Sequence, residues 1–172
     1  MEYIIQTIGI LGAVFSFIAF QCKQHYKILI IKMCGALCFA LQFTLLKAYT
    51  GMVMNCFAIV VIIINAFLVA KNRKNLPFII LSSVLCAAIG VASWIGWQSI
   101  FAIVGGLIVT IAFGVKNPKY LRYIFFFGSL CWLTYDILYF SLGGIITEVF
   151  SLVSIIIATI NQLCKGRNGA IK

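Results

Sequence analysis

The chain is short of the side chains that carry most protein chemistry. It has a single histidine, His25, and three acids, Glu2, Asp136 and Glu148, in 172 residues. No His, Ser and acid constellation or metal-ligand set falls inside its apolar runs, so an enzyme is not expected and no cofactor or metal is called for. Proline is nearly absent too: Pro77 and Pro118 sit at a helix start and in a loop, where neither kinks a helix. Charged residues make up only 9%, too little polar surface to coat a soluble globule of this length. Seven cysteines are present, but they include no CxxC pair and lie mostly inside apolar runs. They read as small buried residues; Cys34 and Cys38 share a helix face without a neighbouring His or carboxylate to complete a metal site.

What the chain has in quantity is apolar surface. It is 64% hydrophobic, with mean hydropathy +1.16, which makes it an all-α integral membrane protein. Runs long enough to cross about 30 Å of hydrocarbon lie at about 3–21, 28–48, 52–70, 76–93, 99–115, 120–142 and 145–164. The separators are brief and leave no extramembrane domain, with His25 between Lys23 and Lys27 in a short loop. The opening Met1-Glu2-Tyr3 has no basic stretch before the first run, so no removable signal peptide is expected.

The net charge of +10 comes from residues placed between the apolar runs, which points to membrane topology rather than nucleic acid. With seven spans, every lysine and arginine except Lys47 falls on one side. The positive-inside rule then puts the amino terminus outside and the carboxyl terminus in the cytoplasm. Lys32, one turn into the second span, is expected to reach back to the cytoplasmic interface. Trp94 and Trp97, in the uncharged fourth connection, suit an interfacial anchor.

The chain also contains itself twice. Residues 4–74 lie on 97–167 at a constant offset of 93, with 17 identities in 71 pairs, where chance would give roughly six. Ile18-Ala19-Phe20 and Lys23 match Ile111-Ala112-Phe113 and Lys116; Gly35 matches Gly128, Gly51 matches Gly144, and Ile62-Ile63-Ile64 matches Ile155-Ile156-Ile157. Helices 1 to 3 and 5 to 7 are thus the copies. An even number of crossings separates them, so the repeats are parallel. The units are residues 1–75, a first three-helix bundle; 76–96, a linker helix; and 97–172, a second three-helix bundle.

This 3+1+3 plan resembles the SWEET and PQ-loop (MtN3-like) superfamily, and more narrowly the bacterial inner-membrane family named after YgjV. The resemblance implies a solute path between two bundles that rock in alternating access, in a bacterial inner membrane. The chain departs from it where PQ-loop proteins carry Pro-Gln: here the text is Phe20-Gln21 and Phe113-Gly114, so any flexibility falls to glycines such as Gly35, Gly128 or Gly105-Gly106. Gly9, Gly12 and Ser16, with Ala102, Gly105 and Gly106, read as close helix-packing positions.

Few polar residues interrupt the runs, and these are the candidate site. Gln42, Asn55 and Asn65 in the first copy, with Trp132, Tyr135, Asp136 and Asn161 in the second, are expected to line the path and bind solute. The asparagines of helices 3 and 7 match in kind those by which SWEETs hold sugars. Asp136 is the acid deepest in a run, either a proton or solute group or a neutral acid bonded across helices. Glu148, within one turn of the start of helix 7, is a second proton or cation candidate or a partner of that helix dipole. Gln42 and Asn55 stand where the second copy has Tyr135 and Glu148, an asymmetry that favours an asymmetric ligand. The reading is a transporter or facilitator for a sugar-like or polar metabolite; the alternative is a non-transporting receptor or assembly subunit. Its partners are the bilayer and a small solute, with a homo-oligomer left open.

Overall fold

The structure, a computed structural model, describes residues 2–21, 25–70, 76–112 and 118–169, the side chains of 20–21, 25–29, 65–66, 69–70, 118–119, 121–122 and 161–169 excepted. Among the described residues there are seven α-helices: α1 (Glu2–Gln21), α2 (His25–Leu45), α3 (Tyr49–Ala70), α4 (Leu76–Ala92), α5 (Ser99–Ala112), α6 (Pro118–Leu138) and α7 (Leu142–Gly169). α1 and α7 contain apolar stretches long enough to cross a membrane, Glu2–Ala19 and Leu142–Ile160; the other five carry shorter ones of 10–17 residues. Large apolar side chains such as Leu81, Val84, Val91, Phe127 and Ile157 are turned outward. An exterior so continuously apolar is what lipid, not water, requires.

Each of α1, α2, α3, α5, α6 and α7 packs on the next and α7 returns to α1, so six helices close a ring; α4 packs on α3 and α5. Pro118 opens α6 rather than lying in a loop, the first-turn position where a missing N–H costs nothing. α2 likewise begins at His25, where a loop was expected.

The sharpest difference from the sequence reading is at the corners. The α2–α3 and α6–α7 turns were expected near 49–51 and 143–144, to within a few residues. They fall instead at Leu46–Ala48 and Tyr139–Ser141, with left-handed backbone at Lys47 (φ 58°) and Phe140 (φ 53°). Each is a Schellman turn: the Lys47 and Ala48 amides donate to Thr44 and Phe43 carbonyls at 3.1 and 2.8 Å, and those of Phe140 and Ser141 to Ile137 and Asp136 at 3.2 and 2.9 Å. Both sets are 93 residues apart. Glycine is the usual occupant of the left-handed position, which is why its absence hid both turns. Lys47 is exposed, so Lys47→Gly should relieve the strained φ without losing packing and raise stability by up to ~1 kcal/mol, measured as a higher thermal midpoint in detergent.

The glycines near these corners serve packing. A Cβ on Gly143 would overlap the Gly9 backbone of α1, and one on Gly144 the Asp136 carboxylate. Gly9 faces Gln42 and Gly143 where α1 packs on α2 and α7, a close helix approach of the kind expected of it. Gly105 accepts the Trp132 ring, and Gly106 the end of Met54.

Candidate solute cavity

A cavity of about 640 Å³ lies inside the ring, and all seven helices contribute to its wall. Its construction follows the internal alignment. Phe39 and Trp132, Ala36 and Ser129, Phe43 and Asp136, Met54 and Thr147, Asn55 and Glu148, Ala58 and Ser151, and Val61 and Ser154 all line it, and each pair stands 93 residues apart. In each of these pairs the first member is the less polar; Ser16 and Lys32, which pair with Val109 and Phe125, run the other way. One side, from α2 and α3, is therefore mainly aromatic and aliphatic, and the facing side, from α6 and α7, carries hydroxyls and carboxyls.

The ionisable groups converge there. Asp136 and Glu148 line the cavity, as does Lys32 from α2. Lys32 was expected to reach toward an interface; it lies seven residues, ~10 Å, into α2 and turns inward, where it engages another residue of the protein. Glu148 sits six residues into α7, nearly two turns and not one, and accepts a hydrogen bond from Ser129. It is half-buried, whereas Asp136 is only 2% exposed. Asp136 packs against Gly144, and its Oδ1 has no hydrogen-bond partner. Glu148 is close enough to act electrostatically on Asp136. Of the two cavity acids, Glu148 is the more exposed.

Of the residues expected along the path, Asn55, Trp132, Asp136 and Glu148 line the cavity, with Asn55 Nδ2 donating to the Gly51 carbonyl at 2.9 Å. Asn65 and Asn161 have side chains outside the described residues. Gln42 and Tyr135, both fully buried, are not in the lining. They close its corner end. Ser141 Oγ donates to Gln42 Oε1 at 3.0 Å, and Gln42 Nε2 to Gln6 Oε1 at 3.2 Å. The Tyr135 hydroxyl accepts from the Gly51 amide at 2.8 Å and donates to the Ala48 carbonyl at 3.3 Å.

The arrangement is reciprocal. Gln42 and Tyr135 are 93 residues apart, and each reaches the opposite corner at Ser141 and Ala48, which are also 93 apart. Local chemistry explains the difference between them. Ser141 caps α7 itself, accepting from the Gly144 amide at 3.3 Å. Ala48 has no hydroxyl to do the same for α3, and Tyr135 supplies one from across the ring. The two seams beside this clasp are bonded as well. Gln6 Oε1 accepts from the Leu142 amide at 3.1 Å, and Gln6 Nε2 donates to the Phe140 carbonyl at 2.8 Å; Thr50 Oγ1 lies 2.9 Å from Ser99 Oγ.

Sequence reasoning missed Lys32 and the hydroxyls of Ser129, Ser151 and Ser154. The signal was present in the copies, since all four of those positions are polar in one repeat and apolar in the other. Trp94 and Trp97 are exposed in the α4–α5 connection, away from the cavity. Five cysteines are described and free, and no group of three or more His, Cys, Asp or Glu able to hold a metal occurs among the described residues.

A chain with seven helices among its described residues, an apolar exterior, and Lys32, Asp136 and Glu148 turned into an internal cavity is of the all-α membrane class. It belongs to the family of bacterial inner membrane proteins designated Imp-YgjV, whose model matches residues 3–165. Comparison with curated proteins and with solved structures finds no match.

Proposed function

We infer that the protein is a small-solute transporter working by alternating access, its two units being α1–α3 and α5–α7 in the 3+1+3 plan of the SWEET-like resemblance, with α4 as linker. The observation that carries this reading is the cavity itself, enclosed by the ring and holding Lys32, Asp136 and Glu148. Charged groups inside a membrane domain are costly and serve pathways far more often than packing. The cyclic helix order and the paired corner bonds support two equivalent units. The corner end is the periplasmic one if Lys47 is the lone outside lysine. Impermeant thiol labelling of cysteines placed at 47 and 73 should report opposite sides; finding both on one side would remove this topology and the parallel repeat with it.

The test of function is solute flux by purified protein in liposomes. Glu148→Gln should cut flux about tenfold or more, since it removes the more open of the two cavity carboxyls. Asp136→Asn should keep the fold and flatten the dependence of flux on pH, because the amide keeps shape but cannot titrate. The ionisable groups around Asp136 are Glu148 from α7, Lys32 across the cavity from α2, and Tyr135 on its own helix; α5 brings none. Unchanged flux and pH profile in both variants would leave the two acids structural.

A further inference from the structure

We propose that the cavity binds an amphipathic organic monocation, an ammonium group carrying an apolar or aromatic body. The inference rests on the cavity being the solute site and names its ligand class. Three observations lead to it. First, the ionisable side chains of the lining are two carboxyls and one amine. Lys32 already has a partner in the protein, while Asp136 Oδ1 is buried without one. Fully ionised, the set carries one uncompensated negative charge, which a single cation neutralises. Second, Trp132 lies in the wall that holds Asp136, and its ring is stacked with that of Phe43 from α2 at 6.4 Å. Aromatic faces beside a carboxyl attract cations and repel anions. Third, the side facing α7 is mainly Phe39, Phe43, Met54, Phe57 and Val61; its polar groups are Lys32, already engaged, and Asn55, whose Nδ2 is taken up by the Gly51 carbonyl. A sugar, polar all round, would leave its hydroxyls unpaired on that side, whereas an apolar body would cover it.

A bare metal ion fits less well. It needs several oxygen ligands at once, and no group of three or more His, Cys, Asp or Glu side chains occurs among the described residues. An organic cation needs one carboxyl and a surface.

The three tryptophans of the chain provide the measurement. Trp94→Phe with Trp97→Phe leaves Trp132, in the cavity wall, as the sole indole. Titrated into this variant in detergent or nanodiscs, benzyltrimethylammonium should change Trp132 fluorescence saturably, while benzoate and glucose should not. Glu148→Gln should weaken that binding about a hundredfold, and Glu148→Asp, which keeps the charge, by far less. Saturable binding of benzoate or glucose in the same range, or unaltered binding in Glu148→Gln, overturns the proposal. Should Glu148→Gln fail to fold by circular dichroism, the ligand series on the unsubstituted cavity decides alone. Flux in liposomes separates this idea from the transport reading. Cation binding without flux of any tested solute sustains the site and removes transport. Flux of glucose with no cation binding does the reverse.

Discussion

Gly143→Ala should largely abolish accumulation of folded protein. The added methyl would enter the backbone of Gly9, and neither neighbour can yield as a flexible side chain could. Overpacking a well-fitted core typically costs 1–3 kcal/mol; here the obstacle is main chain, so ~3 kcal/mol or more is expected, enough to exhaust much of a marginal fold. The α1–α7 seam would have to open, taking with it the Gln6 bonds to Phe140 and Leu142. Gly96→Ala is the matched control, because the atom nearest its new methyl is the tip of the Gln98 side chain. The comparison is read from monodisperse yield and thermal midpoint, and equal behaviour of the two variants would remove the seam argument.

Breaking the reciprocal clasp should change accessibility more than fold. Tyr135→Phe takes away the hydroxyl that caps α3 and leaves the Gly51 amide unpaired, for a loss of about 1 kcal/mol. Gln42→Ala removes the bridge from Ser141 to Gln6. Together they should admit reagent through the corner end. In a background without the seven cysteines, Thr147→Cys places a thiol in the cavity wall just beneath the clasp. An impermeant maleimide added on the corner side should label it at least about tenfold faster in the Gln42→Ala, Tyr135→Phe pair than with the clasp intact, since losing ~1.4 kcal/mol of closing free energy is a factor of ten in the open population. Equal labelling would mean that other contacts hold that end shut.

Helix number and the family were legible in the sequence, because apolar runs of membrane length and a gapless repeat are statements about composition and order. The corners were not. The apolar runs put the breaks near 49–51 and 143–144, whereas the turns use Lys47 and Phe140, and the glycines mark where side chains and a neighbouring backbone press in. Local propensity cannot distinguish a glycine chosen for its dihedral freedom from one chosen for its lack of volume. The site was half legible for a related reason. Polarity inside an apolar run picked out Asp136 and Trp132, but it could not tell a lining residue from a clasp residue, and so Gln42 and Tyr135 were grouped with the path. Lys32 was misjudged because a long side chain near a helix end has two directions open to it, and only the ring decides which it takes.

The two seams of the ring bear on how anything enters. At one, Gly9 meets Gly143 and farther along Phe17 meets Phe150, with ring centroids 4.5 Å apart. At the other, Met54 fills the space over Gly106, and α4 lies across α3 and α5. Both seams are filled at these levels. A ligand of the proposed class would therefore not slip in sideways there from the acyl chains, however well it partitions. It would approach from water, shed its hydration at an end of the bundle, and recover that cost against the aromatic side of the cavity, so its solubility in lipid should be a poor guide to how well the protein binds it.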